Sequence, residues 1–223
     1  REIHHADWRR RNYPMKKKIS KLLITGGAGF MGSNFIRYLY DTYPDYRIYN
    51  YDALTYAANL ENLKDIEERE RLLPAKKRRY QFIKGNICNR RQLSDLFRTN
   101  SFDVVVNFAA DTHVDRSIIN AHHFMSTNVI GVNNLLHFVR QYGIRRFGQI
   151  STDEVYGDVE MGDSDESAPF RPSNPYSSSK AAADLVVQAY MRTHQLPLVI
   201  VRGSNNFGPY QYPEKLIPLA ITN

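Results

Sequence analysis

Residues 21–32 read KLLITGGAGFMG, and this stretch decides the fold. The short apolar run Lys21–Thr25 ends at a glycine cluster, which is typical of a buried parallel strand. Apolar side chains then recur at helical spacing over Ser33–Tyr43, which predicts a helix directly after the glycines. The stretch therefore predicts a strand, a glycine-rich turn and a helix in immediate succession.

The glycines of this turn have the spacing of a dinucleotide-binding loop. Gly26 permits a tight turn out of the strand, Gly29 lets the backbone approach a pyrophosphate, and Gly32 lets the helix pack closely on the strand. A helix that starts near Phe30, with Met31 in its first turn, points its N–H groups and the positive end of its dipole at the phosphates.

An acidic residue completes this pattern. Asp52 lies 20 residues after Gly32, at the end of the next predicted strand. A carboxylate there accepts hydrogen bonds from both ribose hydroxyls and repels the 2′-phosphate of NADP, so the pattern predicts an NAD site. The alternative interpretation is an ordinary strand–turn–helix unit with an aspartate there by chance.

The rest of the chain alternates between predicted strands and helices. The further strands are Tyr46–Tyr51, Tyr80–Ile83, Val104–Phe108, Arg146–Ile150 and Leu198–Val201, and the further helices are Val129–Tyr142 and Tyr176–Thr193. Such alternation with short connections predicts an α/β fold, a doubly wound parallel sheet with helices on both faces.

Composition and charge exclude several classes of protein. The 223 residues are 42% hydrophobic, which fits a folded globular protein, and no apolar run approaches the roughly 20 residues that span a bilayer. The formal charge is +7, but residues 1–18 carry +5 of it, so we expect no nucleic-acid partner. The single cysteine, Cys88, favours a reducing compartment, and we expect a cytoplasmic protein without a signal peptide or membrane anchor.

Tyr176 and Lys180 form a Y-x-x-x-K pair in the last long predicted helix. Residues four apart share a helix face, so the lysine can lie under the ligand that the phenol touches. A nearby cation stabilises phenolate and should lower the tyrosine pKa below its reference value of about 10, which makes a base for a sugar hydroxyl. A chance pair on an ordinary helix is the alternative. Pro175 fits the first turn of this helix, with Asn174 or Ser173 as its cap.

A second polar cluster, Ser151-Thr152-Asp153-Glu154, follows the predicted strand that ends at Ile150. In open α/β sheets, ligands bind at the carboxyl ends of the strands. Two adjacent carboxylates there can divide acid and base roles between them. The alternative is a helix-capping segment in a βα loop.

Taken together, the segments TGGAGFMGSNF, YDALTYAANLENL, NFAADTHVDRSI, ISTDEVYGD, NPYSSSK and VRGSNNFGPYQYPEKLIP resemble the extended short-chain dehydrogenase/reductases, the NAD-dependent epimerase/dehydratase family. The resemblance runs from about Ile19 to the C-terminus. Within the family it is strongest to the dTDP-glucose 4,6-dehydratases. The discriminating signal is Thr152-Asp153-Glu154, because the glycine loop and Y-x-x-x-K are shared across the superfamily.

The resemblance implies a Rossmann-like fold and a dehydration of dTDP-glucose to dTDP-4-keto-6-deoxyglucose. Tyr176, beside Lys180, would take the O4 proton while NAD removes hydride from C4, and Thr152 would hydrogen-bond O4. Glu154 would take the C5 proton and Asp153 would protonate the departing C6 hydroxyl, after which hydride returns to C6.

The resemblance also assigns binding roles. Asp52 and Thr55 would hold the adenosine ribose, and Ser151 would approach the nicotinamide. The remaining implied contacts are Asn86 and Ile87 beside adenine, Ala109, Ala110 and Asn128 along the cofactor, and Thr112, Asn205 and Lys215 on the substrate.

Further expectations concern domain organisation, assembly and metal binding. We expect residues 1–14 to be a basic extension outside the fold, 15–203 to be the NAD-binding domain, and 204–223 to be only the beginning of a smaller C-terminal substrate-binding domain, so that this fragment could be inactive. The resemblance implies a homodimer built on helices around Ala121–Tyr142 and Tyr176–Thr193, with Val186, Val187 and Tyr190 as candidates for its apolar face.

We expect no metal site, because no Cys/His/carboxylate set has zinc-site spacing, and we expect His113 to be structural.

Two other functions remain open at this point. One is another nucleotide-sugar enzyme of the same superfamily, an epimerase or a decarboxylase, which the Asp153-Glu154 pair disfavours. The other is a truncated, non-catalytic NAD-binding module, which the intact Tyr176 and Lys180 disfavour.

Overall fold

The structure is a computed structural model, and it describes residues 18–159 and 161–222. The predicted extension over 1–14 lies outside these residues. Six parallel strands form one sheet in the order β3-β2-β1-β4-β5-β6. The strands are β1 Lys21–Thr25, β2 Arg47–Asp52, β3 Tyr80–Lys84, β4 Val104–Asn107, β5 Arg146–Thr152 and β6 Leu198–Gly203. The chain order reverses direction between β1 and β4, where doubly wound sheets bind their ligands.

Helices connect the strands. They are α1 Phe30–Thr42, α2 Lys64–Arg71, α3 Arg90–Thr99, α4 Val114–Ile119, α5 Ala121–Phe124, α6 Val132–Gln141, α7 Pro175–His194 and α8 Leu216–Thr222. A π-helical segment, Met125–Gly131, joins α5 to α6, and 3-10 turns cover Leu60–Leu63, Ala75–Lys77 and Asp153–Tyr156. The predicted parallel α/β architecture is confirmed, and the predicted helix over Val129–Tyr142 is part π-helical and part α-helical.

Two apolar clusters cover the two faces of the sheet. One packs α3, α6 and α7 against the sheet around Leu23, Val105 and Phe147, and the other packs α1 and α2 around Ile24 and Ile48. These five side chains are at most 1% exposed, which is the burial expected of a strand covered on both faces.

One prediction about the surface is wrong. Val187, a candidate for a dimer face, is fully buried within the subunit as part of the cluster that contains Leu23. Val186 and Tyr190 are partly buried against the same cluster. The reason is the pitch of α7, because Val187 lies four residues after Ala183, which also faces the sheet. The exposed large apolar side chains of this helix are Leu185 and Met191.

Candidate functional site

A cavity of about 770 Å³ opens at the carboxyl ends of the central strands. It is lined by the glycine turn, by the ends of β2, β4 and β5, by the start of α7 and by the segment after β6. The predicted residues in its wall are Gly26, Gly29, Phe30, Met31, Gly32, Asp52, Thr55, Asn86, Ile87, Ala109, Ala110, Thr112, Ser151, Thr152, Glu154, Tyr176, Lys180, Asn205 and Lys215. The structure therefore brings nearly all of the predicted site residues to one cavity.

The glycine turn places backbone groups against this cavity. Gly26 has a φ of 70°, and a Cβ there would lie 2.5 Å from the Ala109 nitrogen. A Cβ on Gly32 would lie 2.3 Å from the Gly26 oxygen, so the turn cannot close with a larger residue at either position. Gly29 caps α1 without any side-chain hydrogen bond, which leaves the first N–H groups of the helix for a ligand.

Asp52 fixes the shape of the turn. Its Oδ2 accepts a hydrogen bond from the Ala28 nitrogen at 2.9 Å, and its Oδ1 accepts one from the Leu54 nitrogen at 2.8 Å. Burial raises the pKa of this carboxyl group, and the two backbone hydrogen bonds act in the opposite direction. Each carboxylate oxygen has a second lone pair, so Asp52 can also accept from a ligand in the cavity.

Tyr176 and Lys180 enter the cavity from the first turns of α7. Asn174 caps this helix in a reciprocal capping box with Ser177, as the sequence predicts for Asn174, and Pro175 is its first residue. The Lys180 Nζ donates a hydrogen bond to the Ile150 oxygen at 2.7 Å. Burial lowers the pKa of Lys180 to about 8, although the negative charge of Asp184 acts to raise it.

The pKa of Tyr176 does not follow the sequence prediction. Burial raises it to about 12, and the negative charge of Glu154 adds to the increase, while hydrogen bonds with Thr112 and Thr152 act to lower it. The prediction that Lys180 lowers this pKa below its ordinary value is therefore wrong for the polypeptide by itself. The physical reason is that removing a phenolate from water outweighs the local interactions that stabilise it.

The acidic cluster is arranged differently from its sequence prediction in one respect. Strand β5 extends through Thr152, so Ser151 and Thr152 belong to the strand and only Asp153 and Glu154 lie in the following 3-10 turn. The Thr152 Oγ1 caps this turn by accepting from the Glu154 nitrogen at 3.2 Å, and it lies 3.2 Å from the Asp153 Oδ1. Glu154 lines the cavity, whereas Asp153 is exposed and lies outside the lining.

Asn128 is the second predicted residue that lies outside the lining. It is 1% exposed, and its amide accepts from the Asp111 nitrogen at 2.8 Å and donates to the Asp111 oxygen at 2.9 Å and to the Ser179 Oγ at 2.8 Å. These bonds occupy the side chain behind the cavity wall. Asn128 therefore holds the wall at Asp111 in place and presents no polar group to the cavity.

A partly buried polar group beside the cavity, which joins Tyr56 to Glu214, was not predicted from the sequence. The Tyr56 hydroxyl donates to the Glu214 Oε1 at 3.0 Å, and burial together with the Glu214 charge raises the pKa of Tyr56. Arg116 lies over the Tyr56 ring at 3.7 Å, and its guanidinium is 3.7 Å from the Glu214 Oε2. His113, at a φ of 86°, lies 3.8 Å from the same oxygen. No local pattern could reveal this group, because Tyr56 and Glu214 are 158 residues apart.

The segment after β6 is held across the cavity by α1. The Asn34 Nδ2 donates to the Pro209 oxygen at 2.9 Å, and Arg37 lies 4.8 Å above the Tyr210 ring. Tyr212 meets the Tyr56 ring edge-on at 5.5 Å. These contacts bring Asn205 and Lys215 into the cavity wall.

Within residues 18–159 and 161–222, no group of three or more His, Cys, Asp and Glu side chains could hold a metal ion. None of the helices described is long and apolar enough to cross a membrane.

Residues 23–223 match the family model described as GDP-mannose 4,6 dehydratase. The chain is 43% identical over 212 residues to the dTDP-D-glucose 4,6-dehydratase of Mus musculus, covering 95% of this chain and 58% of the mouse protein. It thus spans about three fifths of the length of such relatives.

Solved structures give the same result. The dTDP-glucose 4,6-dehydratase of Bacillus anthracis in complex with NAD superposes with a TM-score of 0.80 at 47% identity, over 92% of this chain and 61% of that one. The dTDP-glucose 4,6-dehydratase of Streptomyces venezuelae, crystallised with NAD, gives a TM-score of 0.82 at 44% identity, over 91% and 61%. The similarity extends over nearly all of the chain, so it includes the cavity and both halves of the sheet.

Proposed function

Because the chain belongs to the GDP-mannose 4,6-dehydratase family, we propose that it is the NAD-binding part of an NAD-dependent hydro-lyase that converts dTDP-glucose to dTDP-4-keto-6-deoxyglucose. Similarity to dehydratases whose structures contain NAD supports this proposal. The observation that carries it is that Glu154, Tyr176 and Lys180 line the same cavity as the glycine turn.

The residues at the β1–α1 turn fit NAD. The N-terminus of α1 begins at Phe30, and its cap residue, Gly29, makes no side-chain hydrogen bond to it. The free N–H groups there can therefore bind the pyrophosphate. Asp52 suits the adenosine ribose, with Thr55 beside it in the wall, and its negative charge disfavours a 2′-phosphate. The proposed further cofactor contacts are Met31, Asn86, Ile87, Ala109, Ala110 and Ser151.

When bound, NAD would accept hydride from the sugar C4 and return it to C6. Tyr176 takes the proton from O4, and Thr152, which lies beside the phenol, hydrogen-bonds that oxygen. A tyrosine whose pKa is raised is a poor base, so the charge of Lys180 is needed to stabilise the phenolate as it forms.

The two carboxyl groups serve the elimination. Glu154, in the cavity wall, removes the C5 proton that the 4-keto group acidifies. Asp153 donates a proton to the departing C6 hydroxyl. Its exposed position beside Thr152 requires that the carboxyl group turn toward the cavity or act at its rim when substrate is bound. Thr112, Asn205 and Lys215 are the proposed substrate contacts.

Turnover of the sugar nucleotide tests the proposal. The full-length protein, meaning this chain with any sequence that precedes or follows it, is incubated with NAD and dTDP-glucose, and the sugar product is identified by NMR. Formation of the 4-keto-6-deoxy sugar is expected. Formation of a C4 epimer, or of a decarboxylated sugar when a nucleotide-linked uronic acid is supplied in place of dTDP-glucose, would instead assign the protein to another branch of the superfamily.

A homodimer built on α4, the π-helical segment and α7 is the proposed assembly. These elements pack against one another, and they expose Ile118, Ile119, Ile130 and Leu185. Apolar side chains clustered on neighbouring helices favour a self-complementary contact about a two-fold axis. Light scattering should give the mass of a dimer, and Leu185→Glu should give a monomer.

The single thiol, Cys88, supports a reducing compartment such as the cytoplasm.

A further inference from the structure

Asp184 is a buried carboxylate that the proposed chemistry does not use. It lies four residues after Lys180 on α7, so the two side chains share one face of the helix. Asp184 is fully buried and Lys180 is 5% exposed. Its Oδ2 accepts from the Arg202 Nε at 2.8 Å, whereas its Oδ1 has no hydrogen-bond partner among the described residues. Burying a charged carboxylate with one oxygen unpaired costs free energy. This cost suggests that the negative charge of Asp184 acts on a neighbouring group.

The partner of Asp184 is firmly placed. Arg202 belongs to β6 and is paired in register with Ser151 of β5. Its guanidinium donates to the Tyr156 hydroxyl at 2.7 Å and lies 4.9 Å above the Phe170 ring. Because Ile150, whose carbonyl binds Lys180, precedes Ser151, the anchors of Lys180 and Asp184 come from adjacent positions of one strand pair. The geometry of the two side chains is therefore fixed by the sheet.

Asp184 is also the charged group that acts on Lys180. Burial lowers the pKa of Lys180, and the Asp184 charge opposes that effect. Glu154 and Asp153 act on Tyr176, and Arg202 is bound to Asp184. Tyr156 is buried, and its hydroxyl accepts from Arg202. The other charged or titratable groups on the elements that pack against α7 lie at the surface or are only partly buried; they are Asp115, Arg116, His122, His123, His137, Arg140 and Arg146.

We propose that Asp184 is a positioning residue that keeps Lys180 protonated in its buried site. Lys180 then remains an ammonium ion at neutral pH and stabilises the phenolate of Tyr176. Only this last consequence rests on the proposed function. The charge of Lys180 itself is a property of the chain without substrate.

NMR can follow the charge of Lys180 directly. The chain is labelled with ¹³Cε-lysine, and Lys180→Arg identifies the resonance. The Lys180 signal should titrate near pH 8 in the unaltered chain. In Asp184→Asn the midpoint should fall by about 1 pH unit or more, because an opposite charge at close range shifts a pKa by that amount. In Asp184→Glu, which keeps the carboxylate, it should stay close to that of the unaltered chain.

Arg202→Met is the matched variant. It keeps Asp184 and removes the cation that competes for it, so the Lys180 midpoint should rise. If Asp184 only supported the fold through Arg202, both variants would move the midpoint in the same direction, and that result would overturn the proposal. An unchanged midpoint in Asp184→Asn would overturn it too. Should Asp184→Asn fail to fold, the direction of the change in Arg202→Met decides.

A second measurement separates this inference from the proposed function. In the full-length protein, the rate of NADH formation in Asp184→Asn should decline at a lower pH than in the unaltered protein, by the same interval as the NMR midpoint. If the full-length protein oxidises no nucleotide sugar, the proposed function fails. The titration of Lys180 would still confirm or overturn the role of Asp184.

Discussion

The Nζ of Lys180 lies 2.7 Å from the carbonyl oxygen of Ile150, so the ammonium group is bound to the end of β5. Burial removes this group from water and lowers the Lys180 pKa to about 8. The site thus keeps a cation under the cavity whose protonation changes within a working pH range. About half of this charge is lost at pH 8, and nearly all of it is present at pH 7 and below.

The first prediction concerns stability against pH. The folded-state pKa of Lys180 is about 8 and its ordinary value is 10.5, so between these values the unfolded chain binds a proton that the folded chain lacks. The free energy of unfolding should therefore rise with pH across this window relative to Lys180→Met, by up to about 1.4 kcal/mol per unit. Above pH 10 the raised pKa of Tyr176 acts oppositely, because the unfolded tyrosine ionises first. Urea unfolding from pH 7 to 10 measures the difference, and a constant difference would contradict the prediction.

The choice of cofactor is the second prediction. Asp52 should make NAD bind at least about 100-fold more tightly than NADP, because a carboxylate against a 2′-phosphate is repelled and a hydroxyl hydrogen bond is lost. Titration calorimetry of the chain with NAD and with NADP measures the two affinities. The Asp52→Asn side chain can still accept one of the two backbone hydrogen bonds, but it has no negative charge. This variant should therefore show a smaller difference between its affinities for NAD and NADP. Equal affinities in the unaltered chain would show that Asp52 does not face the ribose.

A third prediction separates oxidation from elimination in the full-length protein. Tyr176→Phe should bind substrate yet form little NADH, because the oxygen that accepts the O4 proton is gone. Glu154→Gln should still form NADH and then stall with a 4-keto sugar, since a general base typically contributes about 10²–10⁴-fold to a rate. Single-turnover absorbance of NADH distinguishes the two. Loss of NADH formation in Glu154→Gln as complete as in Tyr176→Phe would mean that Glu154 orients substrate instead.

Asp153 gives a fourth prediction with a different signature. Asp153→Asn should form NADH at a nearly normal rate and eliminate water slowly, because the amide cannot supply a proton to the leaving hydroxyl. Its exposed side chain can be changed without creating a cavity, so thermal unfolding should be unaltered. Normal product formation in this variant would assign the acid role to another group. Asp153 would then lie outside the cavity lining and also have no part in the elimination.

The fifth prediction concerns the 223-residue chain by itself. It should bind NAD, because the glycine turn, Asp52 and the start of α7 are all present, but it should turn over no dTDP-glucose. The wall beside Lys215 is unsupported, since Leu216 and Ile221 of α8 are 83% and 79% exposed. Exposed apolar side chains also favour association, which size-exclusion chromatography would detect. Turnover by this chain would show that its 223 residues contain a complete substrate site.

Local patterns were sufficient for much of the fold and of the cofactor side of the site. The glycine turn, Asp52 and the cap at Asn174 are short-range features, and each is found where its pattern predicts. Strand and helix alternation gave the parallel sheet. By contrast, Val187 was misassigned because a helix buried on a sheet and a helix on a partner surface have the same apolar periodicity.

Properties that depend on distant residues were not predictable. The pairing of Tyr56 with Glu214 joins positions that are 158 residues apart in the chain. The raised pKa of Tyr176 depends on burial, and burial is a property of the whole fold. Asn128 was expected to contact the cofactor, but its amide is used by Asp111 and Ser179, and only three-dimensional packing reveals that competition.

The π-helical segment Met125–Gly131 constrains how the gene can tolerate insertions and deletions. Asn128 at its centre clamps the cavity wall, and α6, which follows it, is seated in the apolar core through Val132 and Leu135. An α-helix turns by about 100° for each residue, so deleting one residue would rotate either Asn128 off the wall or α6 off the sheet. Single-residue deletions from 125 to 131 should therefore be lost in a functional selection, although substitutions at exposed Met125 survive it.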